Sequence, residues 1–358
     1  MSFLDRWFAG KKTGDNISPV VLNKILETMR ESVIVVGEDT RILSSNSAAY
    51  NAFGRKNGAL DDKRLSEVIR DLSLHEAFQK ALDAGASSDI ELEIPGAEKR
   101  RFDAHVAPIE LGETKGAIGI FYDITQIERF ERVRQEFLSN ISHELRTPLT
   151  SILAFVETLQ DGAMEDEENN RRFLSVIGRN AERMHRLIDD ILELSTIESG
   201  KITLDLKLIN LSPLVKEIFT NLSAKAKERG VKLTSEVPEN TFVFADAARL
   251  EQMLTNLIDN AVKFNSEDGQ VTVKHAQIGG KDVVSVADTG EGISAEHTER
   301  IFERFYRTDR ARSREIGGTG LGLAIVKHLA RLHDGEVSVA SIVGAGTIFS
   351  LELPVKPN

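Results

Sequence analysis

The sequence predicts a multidomain α+β chain in three structured parts. These are a small α+β module, an antiparallel helical hairpin that pairs with a second copy into a dimeric four-helix bundle, and a separate mixed α/β domain. Three observations predict it. Short strand-like runs alternate with short helical pieces through residues 19–125. Two long apolar stripes, stepped by threes and fours, run through 126–200. Beyond Gly200 the pattern changes to strand runs separated by longer helices, giving a final domain over 201–358. With 358 residues, 41% hydrophobic and 28% charged, the chain has ample material for two or three packed cores.

Residues 1–18 read as an N-terminal tail. Phe3, Leu4, Trp7 and Phe8 can share one helical face ahead of Lys11 and Lys12, so residues 3–12 could touch a membrane surface. The plainer reading, a tail that docks or frays, is preferred. No run approaches the roughly 18–20 apolar residues of a membrane helix, and MSFLDRWFAGKK lacks a signal-peptide core. No transmembrane segment and a cytoplasmic location are therefore expected. Residues 19–31 carry a helical pattern, VIVV and RILSS read as strands across a Gly-Glu-Asp turn, and Asn46 is placed to cap a helix through Phe53. Helical pieces follow over 62–83. The runs DIELEIP, RRFDAHVAPIEL and GAIGIFYDIT then supply three antiparallel strands. This order, the SNSAAYNAFG segment and the closing Asp123-Ile124-Thr125 resemble a PAS domain, which implies a sensor module over 19–125. Its ligand is unknown. The absence of cysteine excludes the cysteinyl–flavin adduct of light-sensing relatives, and lone His75 or His105 is read as surface or packing rather than haem ligation.

The hairpin comes next. Leu138, Ile141, Leu145, Pro148, Ile152, Phe155 and Leu159 form one seam. After Asp161-Gly162 and an acidic loop, Phe173, Ile177, Asn180, Met184, Leu187, Ile191 and Leu194 form the other, on a helix over 167–198. Two helices cannot enclose a core alone, so a homodimer is expected. Asn180 either fixes register or is solvated at the edge. The later domain shows strand-like KITLDLK, VKLTSEV, FVFA, QVTVKHA, VVSVAD and TIFSLELP, with helices over 211–228, 247–264 and 320–334.

The bulk properties exclude some functions. A net charge of −11 argues against direct nucleic-acid binding. With no cysteine there is no disulfide, thiolate metal site or cysteine nucleophile, and the composition fits a reducing compartment.

The chemistry begins at FLSNISHELRTPLTSI, residues 137–152. His143 lies about 140° from Leu138 around a helix and so faces solvent. A neutral imidazole can attack phosphorus if its other proton is taken away, and Glu144 stands beside it to do that. Thr147, one turn on, can orient a water for the reverse hydrolysis, and Pro148 loosens that turn. The other seven histidines read as ordinary solvated or packed side chains. The string closely resembles the phosphoacceptor box of sensor histidine kinases of two-component systems. The resemblance makes His143 the phosphorylated residue, Glu144 the proton acceptor and Thr147 the phosphatase residue.

Three later segments can hold a nucleotide. In LEQMLTNLIDNAVKF, Met253, Leu254, Leu257, Ile258 and Ala261 share one face while Asn256, Asn260 and Lys263 share another. An amide oxygen suits Mg²⁺, which takes few protein ligands when phosphates and water complete its shell, and Lys263 can neutralise phosphate. VVSVADTGEGI reads as a buried strand ending in Asp288, whose carboxylate can accept from the adenine amine, with Gly290 and Gly292 letting backbone pass the ring. GGTGLGLAI opens a helix whose terminal amides suit phosphate, and its spacing differs from the dinucleotide fingerprint. Between the last two lies IFERFYRTDRARSRE, an arginine-rich lid anchored by Phe302 and Phe305.

In this order the segments resemble the N, G1, F and G2 boxes of the GHKL (Bergerat-type) fold, an α/β sandwich. That resemblance puts Mg²⁺ on Asn260 with Asn256 in support, phosphate on Lys263, adenine on Asp288 with Gly290 and Gly292, and the phosphate loop on Gly318, Thr319, Gly320, Leu321 and Gly322. ATP-hydrolysing clamps of the superfamily carry a glutamate four residues before the metal asparagine, where this chain has Asn256. Transfer to histidine is thereby favoured over hydrolysis. The motif texture is most similar to the phosphate-regulon sensor group. The family implies ATP and Mg²⁺ as cofactors and the receiver domain of a response regulator as partner. The helical pattern unbroken from Ile127 to Ile152 gives a mechanical route from sensor to His143. Two rivals are a GHKL ATPase clamp and a signalling scaffold that binds ATP without transferring it.

Overall fold

The computed structural model describes residues 19–54, 60–95, 99–111, 114–161, 167–200, 202–308 and 318–356. The tail with its membrane-surface reading, the turn after Asp161 and residues 309–315 of the arginine-rich lid lie outside the described residues. The chain packs as two units, one ending at Glu136 and the other beginning at Phe137.

In the first unit, α1 (Pro19–Thr28) precedes β1 (Ser32–Gly37) and β2 (Ile42–Ser45). Three short helices follow: α2 (Ser47–Phe53), α3 (Leu65–Val68) and α4 (Leu72–Ala84). The strands β3 (Ser88–Ile94), β4 (Arg100–Leu111) and β5 (Thr114–Asp123) complete an antiparallel sheet of order β2-β1-β5-β4-β3. Alternation along each strand sends Ile34, Val36, Phe102, Ala104, Val106 and Phe121 to one face. There they bury against Leu74, Phe78 and Ala81 of α4 and Phe53 of α2, whose ring lies 5.0 Å from Phe102 and 5.1 Å from Phe121. Asn46 does more than cap α2. Its Oδ1 accepts from Ala49 N and Val33 N, and its Nδ2 donates to the carbonyls of Leu26 and Glu31. At the far end Thr125 N donates to Asp123 Oδ1, and Thr125 Oγ1 accepts from Arg101 N. Arg101 also pairs with Glu128 at 2.8 Å, so the first turn of the next helix is tied to β4.

The hairpin consists of α5 (Thr125–Gln160) and α6 (Glu167–Glu198). Leu159, Leu187 and Leu194 are buried, but most of the two seams is only half covered. Leu138, expected in the seam, is 53% exposed. Its neighbour Phe137 turns instead to the later domain, where its ring lies 5.7 Å from that of Phe305. Asn180 points inward and donates to Val176 O and to Ser151 Oγ across the hairpin. The helix runs through Pro148, which cannot donate to the Glu144 carbonyl.

The remaining elements are β6 (Lys207–Asn210), α7 (Leu211–Glu228), β7 (Lys232–Ser235), β8 (Phe242–Ala245), α8 (Ala247–Lys263), β9 (Gln270–Ile278), β10 (Lys281–Asp288), α9 (Ala295–Thr298), α10 (Gly322–Leu332), β11 (Glu336–Ile342) and β12 (Gly346–Pro354). The main sheet has the order β11-β12-β10-β9-β7, parallel only at β7–β9, and β6 pairs separately with β8. Helices α7, α8 and α10 contribute Val215, Leu254, Leu257, Ile325 and Leu329 to a core shared with Val271, Val284, Val286 and Leu351 of the sheet. Two expectations shift. Residues 202–206 of KITLDLK are not a strand: pairing starts only at Lys207, where β8 offers a partner. EVSVASI, not anticipated, is an edge strand because β12 pairs with both it and β10. Among the described residues no helix is long and apolar enough to cross a membrane.

Candidate functional site

One face of α8 builds the floor of a 450 Å³ cavity. Its apolar side is fully buried, which turns Asn256, Asp259, Asn260 and Lys263 toward the opening. Asp288 reaches it from the end of β10, Gly292 from the following turn, and Gly318, Thr319, Gly320 and Gly322 from the glycine loop. Segments more than sixty positions apart thus converge as the motifs implied. Gly290 and Leu321 do not line the cavity. A Cβ on Gly290 would sit 2.3 Å from the Phe264 carbonyl, so that glycine serves close packing behind the wall. Leu321 caps α10 with its side chain wholly buried in the core.

Asp288 is held by backbone amides. Its Oδ1 accepts from Gly290 N at 2.9 Å and Thr347 N at 3.2 Å, while Oδ2 has no partner among the described residues. Burial pushes its carboxyl above the usual range, and the two amides only partly offset this. Gly292 has φ +72°, and a Cβ there would lie 2.1 Å from Ile342 O, so only glycine keeps the turn tight against β11.

Lys263 is held rather than loose: its Nζ lies 2.5 Å from Asp259 Oδ2, and Lys225 also binds Asp259. Burial would raise the Asp259 carboxyl, but Lys263 and Lys225 together outweigh it and hold it below its ordinary value. Asp259 is a site residue for which the sequence offers one signal, its four-residue step to Lys263 on the same helix face. The cavity also draws on side chains no motif announced. These are Arg186, Asp189 and Asp190 of α6, and they line it together with Arg307 of the lid segment.

His143 stands apart on an exposed groove of the hairpin shared with Arg146, Thr147, Thr150 and Ser151. The other seven histidines all have ring partners, such as Ile69 O for His75, Asp89 for His105, Asp282 for His275 and Tyr306 for His297. His185 meets Asp189, His328 meets Glu198, and His333 meets Leu329 O. The ring of His143 has none among the described residues, which leaves its nitrogens available. Thr147 Oγ1 donates to His143 O. Glu144 is drawn away from solvent by Arg183 at 3.1 Å and Arg307 at 3.1 Å, and Arg307 also donates to Gly318 O at 2.6 Å. Arg307 therefore joins the carboxylate beside His143 to the glycine loop of the cavity.

Comparison with known proteins places this geometry. Residues 245–357 match the histidine kinase-, DNA gyrase B- and HSP90-like ATPase model, 133–200 the His Kinase A phospho-acceptor model and 26–129 a PAS-fold model. A sensor protein kinase WalK of Staphylococcus aureus is 32% identical over 338 residues, covering 93% of this chain and 80% of the relative. The chain is a member of the sensor histidine kinase family.

Among further family members, the sensor histidine kinase WalK of Bacillus subtilis (strain 168) is 32% identical over 339 residues, 94% of this chain. The chain spans 55% of the length of that kinase and of the WalK from Staphylococcus aureus strain Newman. Of solved structures, histidine kinase ThkA in complex with the response regulator protein TrrA aligns over 93% of this chain and 98% of its own, with a TM-score of 0.52 and 24% identity. Acinetobacter baumannii histidine kinase AdeS aligns over 60% of this chain and 98% of its own, with a TM-score of 0.50 and 24% identity. Both likenesses concern the fold. The three family models meet the three sequence resemblances, and the α+β sensor, helical hairpin and ATPase domain are those of a sensor histidine kinase.

Proposed function

We propose that this protein is an ATP-dependent kinase that phosphorylates itself on His143. The observation that carries this reading is the meeting of Asn256, Asn260, Lys263, Asp288, Gly292, Gly318, Thr319, Gly320 and Gly322 around one cavity whose Arg307 holds Glu144, the neighbour of a histidine whose ring has no partner among the described residues. The residues fit the nucleotide. Asp288 Oδ2 is available to an exocyclic amine, the glycine turn leaves no room for a side chain, and α10 begins at the loop. Asn260, with Asn256 beside it, would hold Mg²⁺, which bound there supplies charge neutralisation for the phosphates.

The chain's own groups do the rest. Asp288 selects adenine, and Lys263 with the loop amides receives phosphate charge. A nitrogen of His143 forms a P–N bond to the γ-phosphorus as the bond to the β,γ-bridging oxygen breaks and ADP departs. Glu144 takes the ring proton. The phosphoryl group then passes to an aspartate of a response-regulator receiver domain, and Thr147 orients water for the phosphatase reaction. The protein works as a homodimer. A cytoplasmic location belongs to the same reading, supported by the cysteine-free composition.

Incubation with γ-labelled ATP tests this. Wild type should acquire an acid-labile, alkali-stable label that His143→Gln lacks. Inorganic phosphate released without labelling would favour the ATPase clamp, and binding without either the scaffold.

A further inference from the structure

Three carboxylates along α6 grip the ATP-binding domain. Asp190 Oδ2 accepts from Thr319 Oγ1 at 2.7 Å. Glu193 is bound by Arg249 at 2.7 Å and by Gln252, and Glu198 by Arg304 and by His328 at 3.4 Å. Asp190 differs from the other two because it lies on the cavity wall itself, as do Thr319 and Lys263. Burial pushes its carboxyl above the usual range, against the pull of the Thr319 hydroxyl, while the charge of Lys263 acts on it in the same direction as that hydroxyl. A half-buried acid therefore rests on the glycine loop, within electrostatic reach of the lysine. Those are the two elements assigned to the phosphates.

We infer that Asp190 is a built-in competitor of the nucleotide's phosphates: the docked hairpin blocks the phosphate subsite, and a polyphosphate must displace Asp190 and loosen the docking to bind. This rests on the ATP reading above. A phosphate cannot take the Thr319 hydroxyl beside a charged Asp190 without strong repulsion. Linkage then makes the effect reciprocal: docking lowers polyphosphate affinity by the same factor by which bound polyphosphate disfavours docking. Adenosine has no phosphate and should ignore Asp190. The same docked state keeps Arg307 on Glu144, so the group expected to accept the histidine proton is engaged while the phosphate loop is covered.

Titration calorimetry on the whole chain with Mg·ATP and with adenosine tests the inference. Asp190→Asn keeps an acceptor for Thr319 but removes the charge. It should tighten ATP binding about tenfold and leave adenosine within about twofold. Glu193→Gln alters a docking contact outside the cavity and should shift ATP in the same direction, which also covers the case of an Asp190 variant that folds poorly. An unchanged or reduced ATP-to-adenosine affinity ratio in folded variants overturns the inference alone. A wild-type chain that binds neither ligand overturns the ATP reading and this inference with it.

Discussion

Asp288 shows how a single side chain becomes specific. Two backbone amides fix one oxygen and so aim the other, and burial raises the cost of leaving that oxygen unmatched. Asp288→Asn keeps the shape but can present an amide N–H₂ where an acceptor is needed. Adenosine affinity should fall by about 10- to 100-fold, the worth of one charge-assisted hydrogen bond, with the thermal midpoint nearly unchanged. The raised carboxyl gives a second expectation. Binding needs the charged form, so affinity should decline with falling pH while an ordinary aspartate is still ionised. An adenosine titration series across acidic pH that declines only in the usual aspartate range would contradict it. The placing of Asp288 and Asn260 on one cavity and of His143 on an exposed helix face was legible because each sits in a short string with a marked local pattern. Arg307 on Glu144 and Thr319 on Asp190 were not, since those partners are 163 and 129 positions apart and only the folded chain joins them.

At the scale of elements, local signals served best where one residue sets a boundary. α6 runs over the expected 167–198, and Asp246 caps α8 by accepting from Arg249 N. Strands were less legible because a strand exists only where a partner does. KITLDLK alternates well, yet pairing begins at its last residue, and EVSVASI is a strand because β12 has a second free edge. Asn46 shows an element boundary with unusual reach. It joins α1, β1 and α2 through four side-chain hydrogen bonds and is only 3% exposed. Asn46→Ala strips a cap and leaves buried amide and carbonyl groups unmatched, which should cost about 3 kcal/mol. Urea unfolding of the whole chain should show the sensor transition moving to lower denaturant while ATP affinity is kept. A loss below about 1 kcal/mol would mean that water replaces the side chain.

The hairpin carries the argument for the whole molecule. Leu149 and Leu153 on α5 are 45% and 54% exposed, and Ile188 and Leu192 on α6 are 44% and 61% exposed. Each pair is four residues apart, so each stacks along one helix side beside the half-covered seams. Fully burying one such side chain is worth about 1.5–3 kcal/mol, which gives a second hairpin reason to cover them. A single charge there should therefore break the dimer. Leu153→Asp and Leu192→Asp are expected to sediment as monomers at concentrations where wild type sediments as a dimer, with helix content close to wild type. A single chain by itself forms the cavity with Asp288 in its wall, so the monomers should still bind adenosine. Self-phosphorylation tests the bundle separately. If the label on His143 requires four helices to fix the phosphoacceptor helix, monomers that bind adenosine normally should lose it. A variant that remains dimeric would show instead that other surfaces hold the protomers together.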